Sequence, residues 1–180
     1  MKIQTEVLLV DLMNRTKQLI EEAEILKGKK EEQLNCKPHA ESWSALECLE
    51  HLNLYGRFYL PEIDKCIRGG KGKHEPVFKS GWLGNYFANS MLPKEKLNKM
   101  KTFKNMNPLN SQLDKRVIDE FLDQQKELLR LLEESRKISL NKTRTAISIS
   151  KLIKLKLGDT FRFVIYHNQR HMVQARRIEN

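Results

Sequence analysis

The 180-residue chain predicts an all-α protein, a four-helix bundle with a crossover before the last helix and an irregular insertion after the second. Three observations carry that expectation. Four long stretches repeat their apolar residues every three and four positions, the rhythm that lines one face of an α-helix. Glycine (eight) and proline (five) are too scarce for the many tight turns of an all-β architecture. The length suits a single domain, residues 1–180, able to bury one core.

In chain order, residues 3–27 form the first helix, with Ile3, Val7, Val10, Met13, Ile20 and Leu26 close to one stripe and Leu8, Leu12, Leu19 and Ala23 widening it. Gly28 among Lys27, Lys29 and Lys30 is its stop signal. A polar connection, 31–42, contains Pro38. Ser44 and Glu47 then match a capping box that opens the second helix, with Trp43 placed to staple onto its apolar face. Leu46, Leu49, Leu52, Tyr55, Phe58, Tyr59 and Ile63 form that face, Pro61 predicts a kink or a break near Leu60, and Gly69-Gly70 ends the segment.

Residues 71–110 change composition, with glycines, prolines and an aromatic cluster (Trp82, Tyr86, Phe87). Forty residues of empty loop would be unusual, so one or two short helical turns packed on the bundle are expected. The third helix covers 111–135 through Leu113, Val117, Phe121, Leu128 and Leu132. Residues 137–156 read as an extended crossover or short ribbon. Gly158 and Asp159 open the last helix, 157–180, with negative charge in its first turn.

Composition excludes several classes. No apolar run approaches the ~18 residues that span a bilayer, and the N-terminus has no signal-peptide core, so a cytoplasmic protein without a membrane partner is expected. Cys36, Cys48 and Cys66 are odd in number and lack C-x-x-C spacing, which predicts free thiols. The net charge of +10 raises a nucleic-acid partner. The lysines are scattered, however (Lys94, Lys96, Lys99, Lys101, Lys104; Lys151, Lys154, Lys156), without a recognition motif, and a solvated basic surface is the simpler account.

The last helix carries His167 and His171. Four positions apart, their rings stack on one face, where two imidazoles can grip one ion. Asn168, Gln169 and Arg170 stand between them, so the glutamate base of an H-E-x-x-H metalloprotease is absent and that reading fails. His51 lies near the apolar face of the second helix, as a ligand or as a hydrogen-bonded core residue. Bundles build metal sites from facing helices, and one histidine from helix two with a pair from helix four supplies three nitrogens. Three protein ligands leave room for water or substrate, the pattern of a catalytic site.

The pairing of WSALECLEHL with YHNQRHMVQARRI resembles the DinB-like superfamily of damage-inducible-type four-helix-bundle proteins over nearly the whole chain. That resemblance implies His51, His167 and His171 as ligands of a divalent metal; three neutral imidazoles suit Zn, Ni, Fe or Co alike. Some relatives are transferases or isomerases that use low-molecular-weight thiols. The resemblance therefore implies Lewis-acid chemistry on a small-molecule substrate, of thiol-dependent S-transferase or hydrolase type, with a low-molecular-weight thiol as a second cofactor. The alternative is a non-catalytic metal-binding stress or interaction protein of the same fold.

Arg170 and Gln174 are candidates to orient an anionic substrate or to back the ligands, against a surface salt bridge and a surface amide. Tyr55 is a candidate to hydrogen-bond substrate, against simple packing; Glu47's place in a capping box argues against a general base. No catalytic base is assigned. A homodimer paired along a helical face is also expected.

Overall fold

A computed structural model of the protein describes residues 1–70, 72–93 and 102–178. The elements are β1 (Lys2–Gln4), α1 (Thr5–Lys27), α2 (Glu31–Leu34), α3 (Ala45–Arg68), β2 (Val77–Lys79), α4 (Trp82–Met91), α5 (Arg116–Glu134), β3 (Arg144–Ile147), β4 (Ser150–Lys156) and α6 (Leu157–Ile178). Single 3-10 turns lie at Lys104–Met106 and Ser135–Lys137. The chain is mostly helical, as predicted, with two small antiparallel strand pairs, β1–β2 and β3–β4. Both α1 and α3 pack against α5 and α6, and α4 lies along α6. The lysines Lys94, Lys96, Lys99 and Lys101 lie outside the described residues.

The first helix differs from expectation in its rotation. α1 buries Leu8, Leu9, Leu12, Thr16, Leu19, Ala23 and Leu26, while Val7 and Val10 are 54% and 42% exposed. Apolar residues occur on more than one face of this segment, so spacing alone left its rotation open, and packing on α5 and α6 selects the leucine edge. Ile3 is not helical; it pairs with Phe78 across β1–β2. A ladder of three residues is too short to show a period.

α3 starts where the capping box places it. The Ser44 hydroxyl accepts the Glu47 N–H at 3.2 Å, and the Glu47 carboxylate accepts the Ser44 N–H at 2.8 Å. Of the kink or break expected at Pro61, the break near Leu60 is absent, and the helix runs through Pro61 to Arg68. Proline withdraws one helical donor, but Tyr59, Ile63 and Ile67 on either side of it are buried, which holds the second half in register.

α5 begins at Arg116 rather than at Ser111. Asn110 has a left-handed φ of 64°, and the Asp114 carboxylate accepts the Arg116 N–H at 2.9 Å, so the chain turns before it coils. The insertion holds more than the expected one or two turns: α4 has ten residues, preceded by β2. The stretch before α6 is a ribbon, β3–β4, with an irregularity between Ala146 and Ile147. The Thr145 and Thr160 hydroxyls bond at 2.5 Å and tie that ribbon to α6. Cys36, Cys48 and Cys66 are free thiols.

Candidate metal centre

His51 sits in the second turn of α3, and the packing of α3 on α6 carries it to the face that presents His167 and His171. One ring nitrogen from each of the three lies within 4.8 Å of the others. His51 and His167 are 3% and 4% exposed, and His171 is half-buried. Two of the rings are held from behind. His51 Nδ1 lies 2.6 Å from the Met106 carbonyl, and His171 Nδ1 lies 2.9 Å from Gln174 Oε1. Each acceptor requires a proton on Nδ1, which leaves Nε2 of His51 and His171 as a lone pair. His51 Nε2 and His167 Nε2 face each other at 3.2 Å.

The donor set fits a divalent cation. Two imidazole nitrogens on one tetrahedral zinc ion, each at about 2.0–2.1 Å, stand about 3.3 Å apart, close to the 3.2 Å between His51 and His167. Burial pushes His51 down to about 4 and His171 to about 3, the latter helped by His51, and holds His167 well below the usual imidazole range. Arg170 lowers His167 and His171 further. All three rings are therefore neutral at pH 7, the protonation state a ligand needs.

Aromatic rings wall the cluster. Trp43 lies 4.6 Å from His51 and 5.6 Å from His171, Tyr55 lies 5.0 Å from His51 and 4.6 Å from His167, and Phe163 stacks on His167 at 5.8 Å. Trp43 thus does not merely staple the start of α3; its indole covers the imidazoles, while its Nε1 donates to Asn107 at 3.0 Å. Tyr55 packs as the apolar-face reading expected and also borders the cluster. Gln174 is not a surface amide but the acceptor behind His171. Arg170 is not at the surface either: it is 4% exposed, and burial lowers its pKa. Glu47 has its carboxylate oxygens occupied, accepting from Lys37 Nζ at 2.7 Å and from the Asn110 and Ser44 amides. It anchors the loop before α5.

The sequence reading missed Trp43 as a wall, Met106 as the backbone acceptor and Phe163 as the stacking ring. Met106 acts through its carbonyl, 55 positions from His51, so no side-chain pattern signals it. A cleft of about 190 Å³ opens beside that turn, lined by Phe103, Asn105, Met106, Ser148 and Ile149. Ser148 accepts from and donates to the hydroxyl of Tyr59, whose ring stacks on Tyr55.

A mostly helical chain that gathers one histidine from α3 and two from one face of α6 is a protein with a candidate three-histidine metal site. A family model, that of the DinB superfamily, matches residues 12–175, and the chain belongs to that superfamily. No curated protein and no solved structure matches it.

Proposed function

We propose that the protein is a metal-dependent enzyme built on a four-helix bundle of α1, α3, α5 and α6, with His51, His167 and His171 holding one divalent ion. The observation that carries this reading is the orientation of the rings. Met106 and Gln174 hold the Nδ1 protons of His51 and His171 outward, and the lone pairs of their Nε2 atoms point into the cluster. Such outer hydrogen bonds fix tautomer and ring direction at metal sites.

Bound there, a divalent ion supplies Lewis acidity, which depresses the pKa of a thiol or of water. Three protein ligands leave positions for an exogenous group, the arrangement of catalytic rather than structural sites. The protein's own residues do the rest. Trp43, Tyr55 and Phe163 exclude bulk water from the imidazoles, and Arg170 keeps positive charge beside them. Lewis-acid chemistry with a low-molecular-weight thiol, or a hydrolysis, suits this surrounding best; membership in the DinB superfamily supports the first.

The test is metal content of untagged protein, beside His51→Ala and His167→Ala/His171→Ala, followed by thiol-consumption assays with electrophilic substrates. One equivalent in wild type, loss in both variants and metal-dependent turnover support the proposal. Metal without turnover of thiol, ester or amide substrates points to the non-catalytic binding protein. Metal-free protein whose melting is indifferent to added Zn, Ni, Fe or Co overturns both.

A further inference from the structure

Both strand ribbons set cation opposite cation. Lys2 faces Lys79 across β1–β2, and Arg144 faces Lys156 across β3–β4. Like charges directly opposite one another weaken a strand pair, so the ribbons gain nothing from them. The two ribbons meet at this point, where Lys156 Nζ donates to the Lys79 carbonyl at 2.5 Å. Among the described residues, no carboxylate forms an ion pair with Lys2, Lys79, Arg144, Lys154 or Lys156. Glu75, which feels Lys142 and Lys156, gives its carboxylate to Ser139 and Asn141.

Apolar side chains stand out of the same end of the molecule. Three residues after Lys79 the chain enters α4, whose outer stripe presents Trp82 and Tyr86, 84% and 66% exposed. β4 packs beside α4 and carries Leu152 on the same strand face as Lys154 and Lys156; Leu152 is 95% exposed. The platform is rigid. Asp159 accepts the Gly81 N–H at the head of α4, Arg162 donates to Asn85 and Asn89 on its inner side, and a side chain at Gly84 would meet Asp159 at 2.5 Å. Trp82 and Tyr86 are thereby held facing outward.

We propose that this face docks peripherally on an anionic lipid bilayer, with Trp82, Tyr86 and Leu152 in the interfacial layer and the lysines against lipid phosphates. Tryptophan and tyrosine favour that layer, and each lysine near an anionic membrane surface adds attraction. A nucleic acid would engage the cations and stack on the indole, but offers nothing to Leu152. No described helix is long and apolar enough to cross a membrane, so the contact is one of surface adsorption. The sequence expectation of no membrane partner considered spanning segments and a signal peptide; the fold brings Lys79, Lys154 and Lys156 beside exposed apolar groups.

The experiment is co-sedimentation of the full chain with vesicles of phosphatidylcholine alone and of equal phosphatidylcholine and phosphatidylglycerol. Binding to the mixed vesicles only, weakening with salt, is expected. Lys79→Gln/Lys154→Gln lowers the partition by about 30-fold, at the usual attraction per lysine, and Trp82→Ser/Leu152→Ser by at least about tenfold. In a Trp43→Phe background, Trp82 emission shifts to the blue on mixed vesicles. These side chains touch solvent, so the variants keep the wild-type melting temperature; should the serine pair melt lower, Tyr86→Ser/Leu152→Ser replaces it. Absence of binding to mixed vesicles at low salt overturns the proposal. So does undiminished binding by the serine variant, or DNA binding that matches vesicle binding and is lost in the lysine variant alone.

Discussion

α6 carries two buried polar clusters built on opposite terms. Near its start, Asp159 and Arg162 are 0% and 2% exposed and pair at 3.2 Å. Their neighbours complete them: Asp159 takes the Gly81 amide at 2.8 Å and the Ser80 hydroxyl, while Arg162 gives to Asn85 and Asn89 and lies 5.7 Å from the Tyr166 ring. Within this pair, Arg162 Nε is the one buried atom without a hydrogen-bond partner among the described residues. Farther along, His51, His167 and His171 set like against like. Each group in the first cluster meets its complement, which is what an architectural clasp needs. The second turns three neutral imidazoles toward one another, an arrangement that a cation would complete.

The comparison breaks most visibly through Asp159. Asp159→Ala leaves Arg162 buried and charged, and stability in urea should fall by about 3–5 kcal/mol. Metal bound per folded chain should not change. His51→Ala removes a ring that no charge depends on, and the metal-free protein should lose less. If Asp159→Ala unfolds at the wild-type urea midpoint while His51→Ala does not, the two clusters have been assigned the wrong way round.

Acid acts on the histidines next. In the fold His51 titrates at about 4 against 6.5 unperturbed, so the unfolded chain takes its proton first and stability rises with pH. Metal-free protein should keep its full stability above pH 6.5 and lose it progressively toward pH 4, by roughly 3 kcal/mol from His51 alone, with His167 and His171 adding in the same direction. Urea titrations across that range in wild type and His51→Ala isolate the share. Equal pH slopes in the two proteins would show that His51 is not held neutral.

Metal should restore what the like-facing arrangement lacks. At about a hundredfold excess over Kd, zinc or nickel should stabilise wild type by about 2.7 kcal/mol and His167→Ala hardly at all. Thermal melts with and without chelator read this difference. A His167→Ala protein that gains as much as wild type would place the metal elsewhere.

What was legible in the sequence tracks how local the cause is. The placement of His167 and His171 on one helix face follows from helical spacing alone, and the capping box of Ser44 and Glu47 follows from a four-residue pattern; both are as read. His51 was joined to them through the expected bundle architecture and a resemblance rather than through local spacing, because the contact of α3 with α6 is tertiary. Val7 and Val10 were placed on the buried side because α1 has apolar residues on several faces. Asp159 was read as a charge in the first turn of its own helix, whereas its carboxylate serves the head of α4, 78 positions away in sequence. The basic-aromatic face was invisible as a unit, since Lys79, Trp82, Leu152 and Lys156 come together only when β4 packs beside α4.

The smallest effect sharpens the comparison most, because it probes the orientation of a ring rather than its presence. Gln174→Ala deletes the acceptor behind His171 Nδ1 and leaves all three imidazoles in place. Loss of an outer hydrogen bond of this kind should weaken metal affinity about 10–100-fold, measured by competition with a chromophoric chelator. Gln174 is only partly buried, so the metal-free protein should unfold within about 0.5 kcal/mol of wild type. Gln174→Glu keeps an acceptor oxygen, adds charge that makes His171 a stronger donor, and should bind at least as tightly as wild type. If the alanine variant binds metal as wild type does, His171 is held by the packing of Trp43 and His51 rather than by Gln174. The tautomer argument would then rest on His51 and the Met106 carbonyl alone.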